Sequence, residues 1–84
     1  MPDMSDHLAL TLAHAVRAER ARQTWSQTAL ADRLGWSQTK VAAVEAGTRR
    51  LYVHEMPEVC RALGVSLARL LQDADPEDLR ALGL

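Results

Sequence analysis

Phenylalanine is missing altogether, and aromatic residues fill only 4% of the 84 positions. β-Branched residues are sparse as well, so the side chains that favour strands are in short supply and an all-α domain is expected. Cys60 is the sole cysteine, which excludes an intramolecular disulfide and gives no argument for an oxidising compartment. No apolar run approaches the roughly 20 residues of a membrane span. The opening "MPDMSDHLAL" puts acids where a secretion signal needs positive charge. A soluble cytoplasmic protein is therefore expected. An overall excess of positive charge is also lacking, since the net charge is -1.

That balance is unevenly spread. Residues 1–50 carry seven Arg/Lys against five Asp/Glu, whereas residues 51–84 carry three against six, four of them in "DADPED". A mildly basic front and an acidic tail permit an electrostatic footprint on nucleic acid without demanding one. Chemistry of other kinds finds little support. His7 and His14 would stand two helical turns apart, about 10 Å, too far to share an ion, and His54 adds no third ligand. Neither a serine nor Cys60 has a credible base and orienting group beside it. The sequence predicts no enzyme, no metal and no cofactor.

What the chain has is alanine and leucine at helical spacing. A first helix is expected from about Asp6 to Gln23, behind a loose arm of residues 1–5, with Leu8, Leu12, Ala15 and Val16 on its apolar side. Ser26 is a suitable N-cap for a helix opening at Gln27, and Ser37 for another closed by Gly47. Gly35 lies between them and supplies a left-handed position that ends the first. "TRRLYV" reads as loop and "HEMPEVCRALG" as a fourth helix, in which Pro57 is tolerated because it falls in the first turn. Cys60 is expected on its inner face as an inert packing residue. Ser66 caps a fifth helix, "LARLLQD", completing a domain over residues 6–73. Residues 74–84 form an acidic tail with a brief helix capped by Asp75.

The segment opening at Gln27 carries the functional signal. Counted from Gln27, apolar residues fall at positions 4, 8, 10, 15 and 18 (Leu30, Leu34, Trp36, Val41 and Val44), with Ala31 at 5 and Gly35 at 9. Two helices that cross steeply need a small residue where they touch and a glycine in the turn. This is the pattern of a helix-turn-helix, whose second helix is expected to enter the major groove of DNA; the plainer alternative is a purely structural helical hairpin. With Val41 and Val44 turned inward, Gln38, Thr39, Lys40, Ala42 and Ala43 face outward.

"WSQTALADRLGWSQTKVAAVEAG", followed by "EVCRALGVSLARLL", resembles the Cro/CI (XRE-type) DNA-binding domains of phage repressors and their bacterial relatives, over residues from about 8 to 72. The resemblance implies a compact five-helix, lambda-repressor-like domain that binds an inverted-repeat operator as a homodimer. It implies that Gln27 holds a phosphate with the amides of its helix, and that Gln38 makes a bidentate contact to adenine. The pairing of Gln27 with Gln38 is similar to that of the lambdoid repressors. Thr39 would donate to a base or meet a thymine methyl, and Ala42 and Ala43 would pack on thymine methyls or leave room. Ser37, Lys40, Arg49, Arg50 and Tyr52 are the remaining phosphate candidates. The resemblance further implies a structural ion pair between Arg20 and Glu45.

Each assignment has a plainer counterpart. Gln38, Thr39, Arg49 and Arg50 are ordinary solvated residues if no DNA is bound, and Tyr52 then packs against the fourth helix. Trp25 is expected in the core. Trp36 is either a core plug, as its inward position favours, or a neighbour of the sugar–phosphate backbone. Leu67, Leu70 and Leu71, or Leu79, Leu82 and Leu84, are candidate dimer surfaces, or else they close the monomer core. The competing functional class is a protein-binding module, an antitoxin or adaptor acting through a protein partner, which the near-neutral charge and the two outward alanines favour.

Overall fold

The computed structural model describes residues 4–84, with side chains from residue 7 onward. Its helices are α1 (Met4–Arg22), α2 (Gln27–Leu34), α3 (Gln38–Ala46), α4 (Met56–Leu63), α5 (Leu67–Leu70) and α6 (Pro76–Ala81). A 3₁₀ turn, Val53–Glu55, precedes α4. The described residues contain no strand, and none of their helices is long and apolar enough to cross a membrane. The fold is the expected all-α arrangement.

Local chemistry sets the boundaries. The Ser26 hydroxyl accepts the Ala29 amide at 3.0 Å and the Ser37 hydroxyl accepts the Lys40 amide at 3.1 Å, so each helix satisfies one orphan donor at its start. Gly35 ends α2 at φ 71°. There the Trp36 amide reaches back to the Ala31 carbonyl at 2.9 Å, the six-to-one bond of a Schellman turn. Ser66 and Asp75 cap α5 and α6 in the same manner.

Three boundaries differ from expectation. α1 begins at Met4, because Met4, Ser5 and Asp6 contain no helix breaker. Only residues 1–3 of the expected arm lie outside the described residues. The fourth helix does not start at His54. Val53–Glu55 winds more tightly, and Glu55 turns its carboxylate inward to accept the Tyr52 amide at 2.9 Å. α5 is a single turn, and the chain continues in tight i→i+3 bonds, with Ala74 N–H donating to Leu71 at 2.8 Å.

The core gathers one stripe from each of the first five helices. Leu12 and Val16 of α1 meet Leu30 and Ala31 of α2, Val41 of α3, Val59 and Leu63 of α4, and Leu70 of α5. Leu30 is wholly buried. Each such aliphatic side chain contributes about 1.5–3 kcal/mol of hydrophobic stabilisation, and Leu30→Ala would cost about 2–5 kcal/mol. Ala31, at the contact of α2 with its neighbours, is buried too, so a larger residue would push α2 off the core. Leu70 and Leu71 are buried and Leu67 packs beside them, so the α5 leucines close the monomer core. In the tail Leu79 joins the core, whereas Leu82 and Leu84 are exposed. Trp25 is only half-buried, its ring lying under the Arg33 guanidinium at 3.9 Å.

Candidate nucleic-acid interface

α3 lies across α1 and α2, with Val41 and Val44 sealed beneath it. Its outer side carries Gln38 and Thr39, both exposed, then Ala42 and Ala43, both half-buried. Four polar side chains run from the interior to this surface. Arg20 of α1 grips Glu45 through two parallel bonds, Nε to Oε2 at 2.7 Å and Nη2 to Oε1 at 2.9 Å. Its third donor, Nη1, goes to the Trp25 carbonyl at 2.6 Å. The Glu45 side chain is 2% exposed and that of Arg20 15%. Hydrogen bonding to Glu45 raises the Arg20 pKa above its ordinary value, against an opposing desolvation. Gln27 then donates from Nε2 to Glu45 Oε1 at 3.1 Å, and Gln38 donates from Nε2 to Gln27 Oε1 at 2.8 Å. The ion pair and the two glutamines singled out in the sequence therefore form one connected unit.

The other expected phosphate contacts separate into two groups. Ser37 is exposed and caps α3, while Arg50 and Tyr52 are exposed on the loop, the Tyr52 ring stacked on His54 at 5.6 Å. Lys40 and Arg49 are turned toward Glu55 instead. Lys40 Nζ lies 3.0 Å from Glu55 Oε2 and 4.0 Å above the Trp36 ring. Arg49 makes a bidentate pair with the same carboxylate, Nη1 to Oε1 at 2.9 Å and Nη2 to Oε2 at 3.0 Å. Hydrogen bonding from Arg49 is the main reason the Glu55 carboxyl is held down to about 2. Burial opposes the shift, and the Tyr52 amide and Lys40 reinforce it. Trp36 is thus half-buried, packed against the core with its face under a lysine.

Three features of the structure escaped the sequence. Glu55 pairs across a loop, at a spacing no helical pattern marks. Glu19 is buried and bonds Arg22 of its own helix at 2.6 Å and Arg69 of α5 at 3.1 Å. The Arg22 half of that cluster was legible as an i,i+3 pair. Arg17 is exposed on α1 and borders a hollow of about 280 Å³ shared with Gln27, Ala42 and Ala46. Its place three residues before Arg20 on the same helix was the available signal.

Two short helices, each capped by a serine, joined through a left-handed glycine and presenting polar residues from the start of the second, make a helix-turn-helix. The chain belongs to the helix-turn-helix domain family, whose profile matches residues 11–72. Among solved structures it is similar to the clp gene regulator ClgR from C. glutamicum, with 30% identity, 80% of this chain and 86% of that chain covered, and a TM-score of 0.75. It is also similar to the hypothetical transcription factor NHTF from Neisseria, at 33% identity over 98% of this chain and 91% of that chain, with a TM-score of 0.73. No curated protein matches.

Proposed function

We propose that this protein is a sequence-specific, DNA-binding transcriptional regulator of the Cro/CI (XRE) type, acting as a repressor. α3 lies in the major groove, where Gln38 and Thr39 read bases and Ala42 and Ala43 leave room for thymine methyls. Ser37, Arg50 and Tyr52 hold the phosphates around them, together with the backbone amides at Gln27 where α2 begins. Two copies bind an inverted repeat, with their recognition helices about 34 Å apart in successive major grooves. The exposed Leu82 and Leu84 are available for pairing between copies, since the α5 leucines are committed to the core. No cofactor or catalytic step enters this function, and a cytoplasmic location suits it.

One observation carries the reading. Gln38 is exposed, yet its amide is held through Gln27 by a buried ion pair. A merely solvated glutamine gains nothing from such support, whereas a base reader gains the fixed geometry that bidentate contacts require. The test is selection of bound duplexes from a random library, with Gln38→Ala run in parallel. The expected result is an enriched inverted repeat in which the variant relaxes the preference for one adenine. Absence of enrichment at low salt would refute direct readout and favour a protein partner.

A further inference from the structure

One buried carboxylate takes up two cations that border the recognition helix. Glu55 is only 6% exposed at its side chain, while those of Lys40 and Arg49 are each 30% exposed. Lys40 comes from the first turn of α3 and Arg49 from the loop that follows it, so both stand where phosphates would pass if α3 occupies a major groove. Both also lie against aromatic faces: Lys40 is 4.0 Å and Arg49 5.9 Å from the Trp36 centroid, and Arg49 is 5.1 Å from that of Tyr52. Glu55 is itself fixed by the Tyr52 amide at 2.9 Å. The Glu55 carboxylate and the rings of Trp36 and Tyr52 thus hold the two cations inward.

Resting on the DNA-binding reading above, we infer that Glu55 is a specificity-determining residue that withdraws Lys40 and Arg49 from the phosphate backbone. Phosphate contacts are sequence-independent and supply essentially all of non-specific affinity, whereas base contacts discriminate. A domain whose reading helix offers only Gln38 and Thr39 as polar readers has little base-contact energy to set against sequence-independent attraction. Drawing two cations away from the backbone, with one of their two charges cancelled, keeps the ratio of operator to random-DNA affinity high without weakening base readout. Because the Glu55 carboxyl stays ionised down to about pH 2, the restraint is permanent rather than a pH switch.

The dependence of log affinity on log salt counts phosphate contacts, at a slope of about -0.9 for each. It is measured for a selected operator and for random duplex, on wild type, Glu55→Gln and Lys40→Met, with folding checked by circular dichroism. Glutamine retains an acceptor for the Tyr52 amide but releases the cations. Glu55→Gln is expected to steepen the slope by between about 0.9 and 1.8 per subunit. It should raise random-duplex affinity several-fold and lower the operator-to-random ratio. Lys40→Met, which leaves Arg49 paired with Glu55, is expected to leave the slope unchanged; a loss of about 0.9 there overturns the inference even if Glu55→Gln does not fold. An unchanged slope in folded Glu55→Gln overturns it as well. So does a shallower slope with weaker binding, which would mean that Glu55 aims the cations at phosphates. If wild type binds no duplex at any salt, the DNA-binding reading fails and the inference with it; the other outcomes overturn the inference alone.

Discussion

Replacing Arg20 by methionine removes three hydrogen bonds and leaves Glu45 charged in a site where its side chain is 2% exposed. Among the described residues, the one remaining donor to that carboxylate is Gln27 Nε2, at 3.1 Å. Breaking one side of a buried pair costs about 3–5 kcal/mol, much of it the penalty of the abandoned charge. An 84-residue domain has about 4–13 kcal/mol in total, so the variant stands near the edge of folding. The double change Arg20→Met/Glu45→Leu removes the charge along with its partner and should recover most of the loss. Recovery stops short by about 1 kcal/mol, because the Trp25 carbonyl still lacks the donor it had at 2.6 Å. Urea unfolding followed by tryptophan fluorescence gives both numbers. With a slope of about 1 kcal/mol per molar for so small a domain, the single variant's midpoint falls by about 3 M or more. A single-variant loss below about 1 kcal/mol, or a double variant no more stable than the single, would refute a desolvated charge as the source of the cost.

Three further outcomes are expected. Glu55 and Glu19 both have carboxyl pKa values below the ordinary range, chiefly through hydrogen bonds from Arg49 and Arg22 respectively. A depressed carboxyl contributes stability that is complete above its unfolded pKa and lost as pH falls through the folded one. The melting temperature should therefore decline from about pH 4.5 toward pH 2, and less steeply in Glu55→Gln. Gly35→Ala and Gly47→Ala each force a left-handed residue, at φ 71° and 78°, and should each cost about 1–2 kcal/mol. A Cβ at Gly47 would meet Leu10 Cδ2 at 2.9 Å, but Leu10 is exposed and its methyl swings aside, so the two variants should melt within a few degrees of each other. Arg17→Gln, at an exposed position beside Gln27 and Ala42, should flatten the salt dependence of DNA binding by about 0.9 with no change in melting temperature; an unchanged slope would remove Arg17 from the interface.

What could be read from the sequence was what depends on neighbours in the chain. Ser26, Ser37, Gly35 and Gly47 announce their helix ends because a cap or a left-handed turn is a property of a few consecutive residues. Spacing alone put Leu30, Val41 and Val44 in the core. The Arg20–Glu45 pair spans 25 residues and was legible only through family resemblance. Glu19 with Arg69, 50 residues apart, and Lys40 with Glu55 had no such guide, because they depend on how α1 meets α5 and how the loop folds back under α3. Lys40 shows the limit well. Its position predicts an outward cation, and its long stem allows the charge to be carried sideways to a carboxylate instead. The single-turn α5 and the 3₁₀ turn before α4 were missed for a related reason. Leu71, Ala74 and Glu55 are drawn inward by the core and by Arg49, and the backbone tightens to deliver them.

The polar chain behind Gln38 also runs in one direction. An arginine only donates and a carboxylate only accepts, so Glu45 obliges Gln27 to turn its NH₂ inward and its carbonyl outward. That carbonyl takes one N–H of Gln38, which keeps its second N–H and its own carbonyl oxygen for whatever approaches. Side-chain amides are ordinarily ambiguous in which end is oxygen and which nitrogen. Here the ambiguity is removed at the surface by a charge sealed beneath it. The outermost amide consequently offers donor and acceptor in a set order, and reversing that order means breaking a bond to its neighbour. Glu45→Gln would abolish that rectification, since an amide at this position accepts and donates alike, and Gln27 and Gln38 could then turn over together.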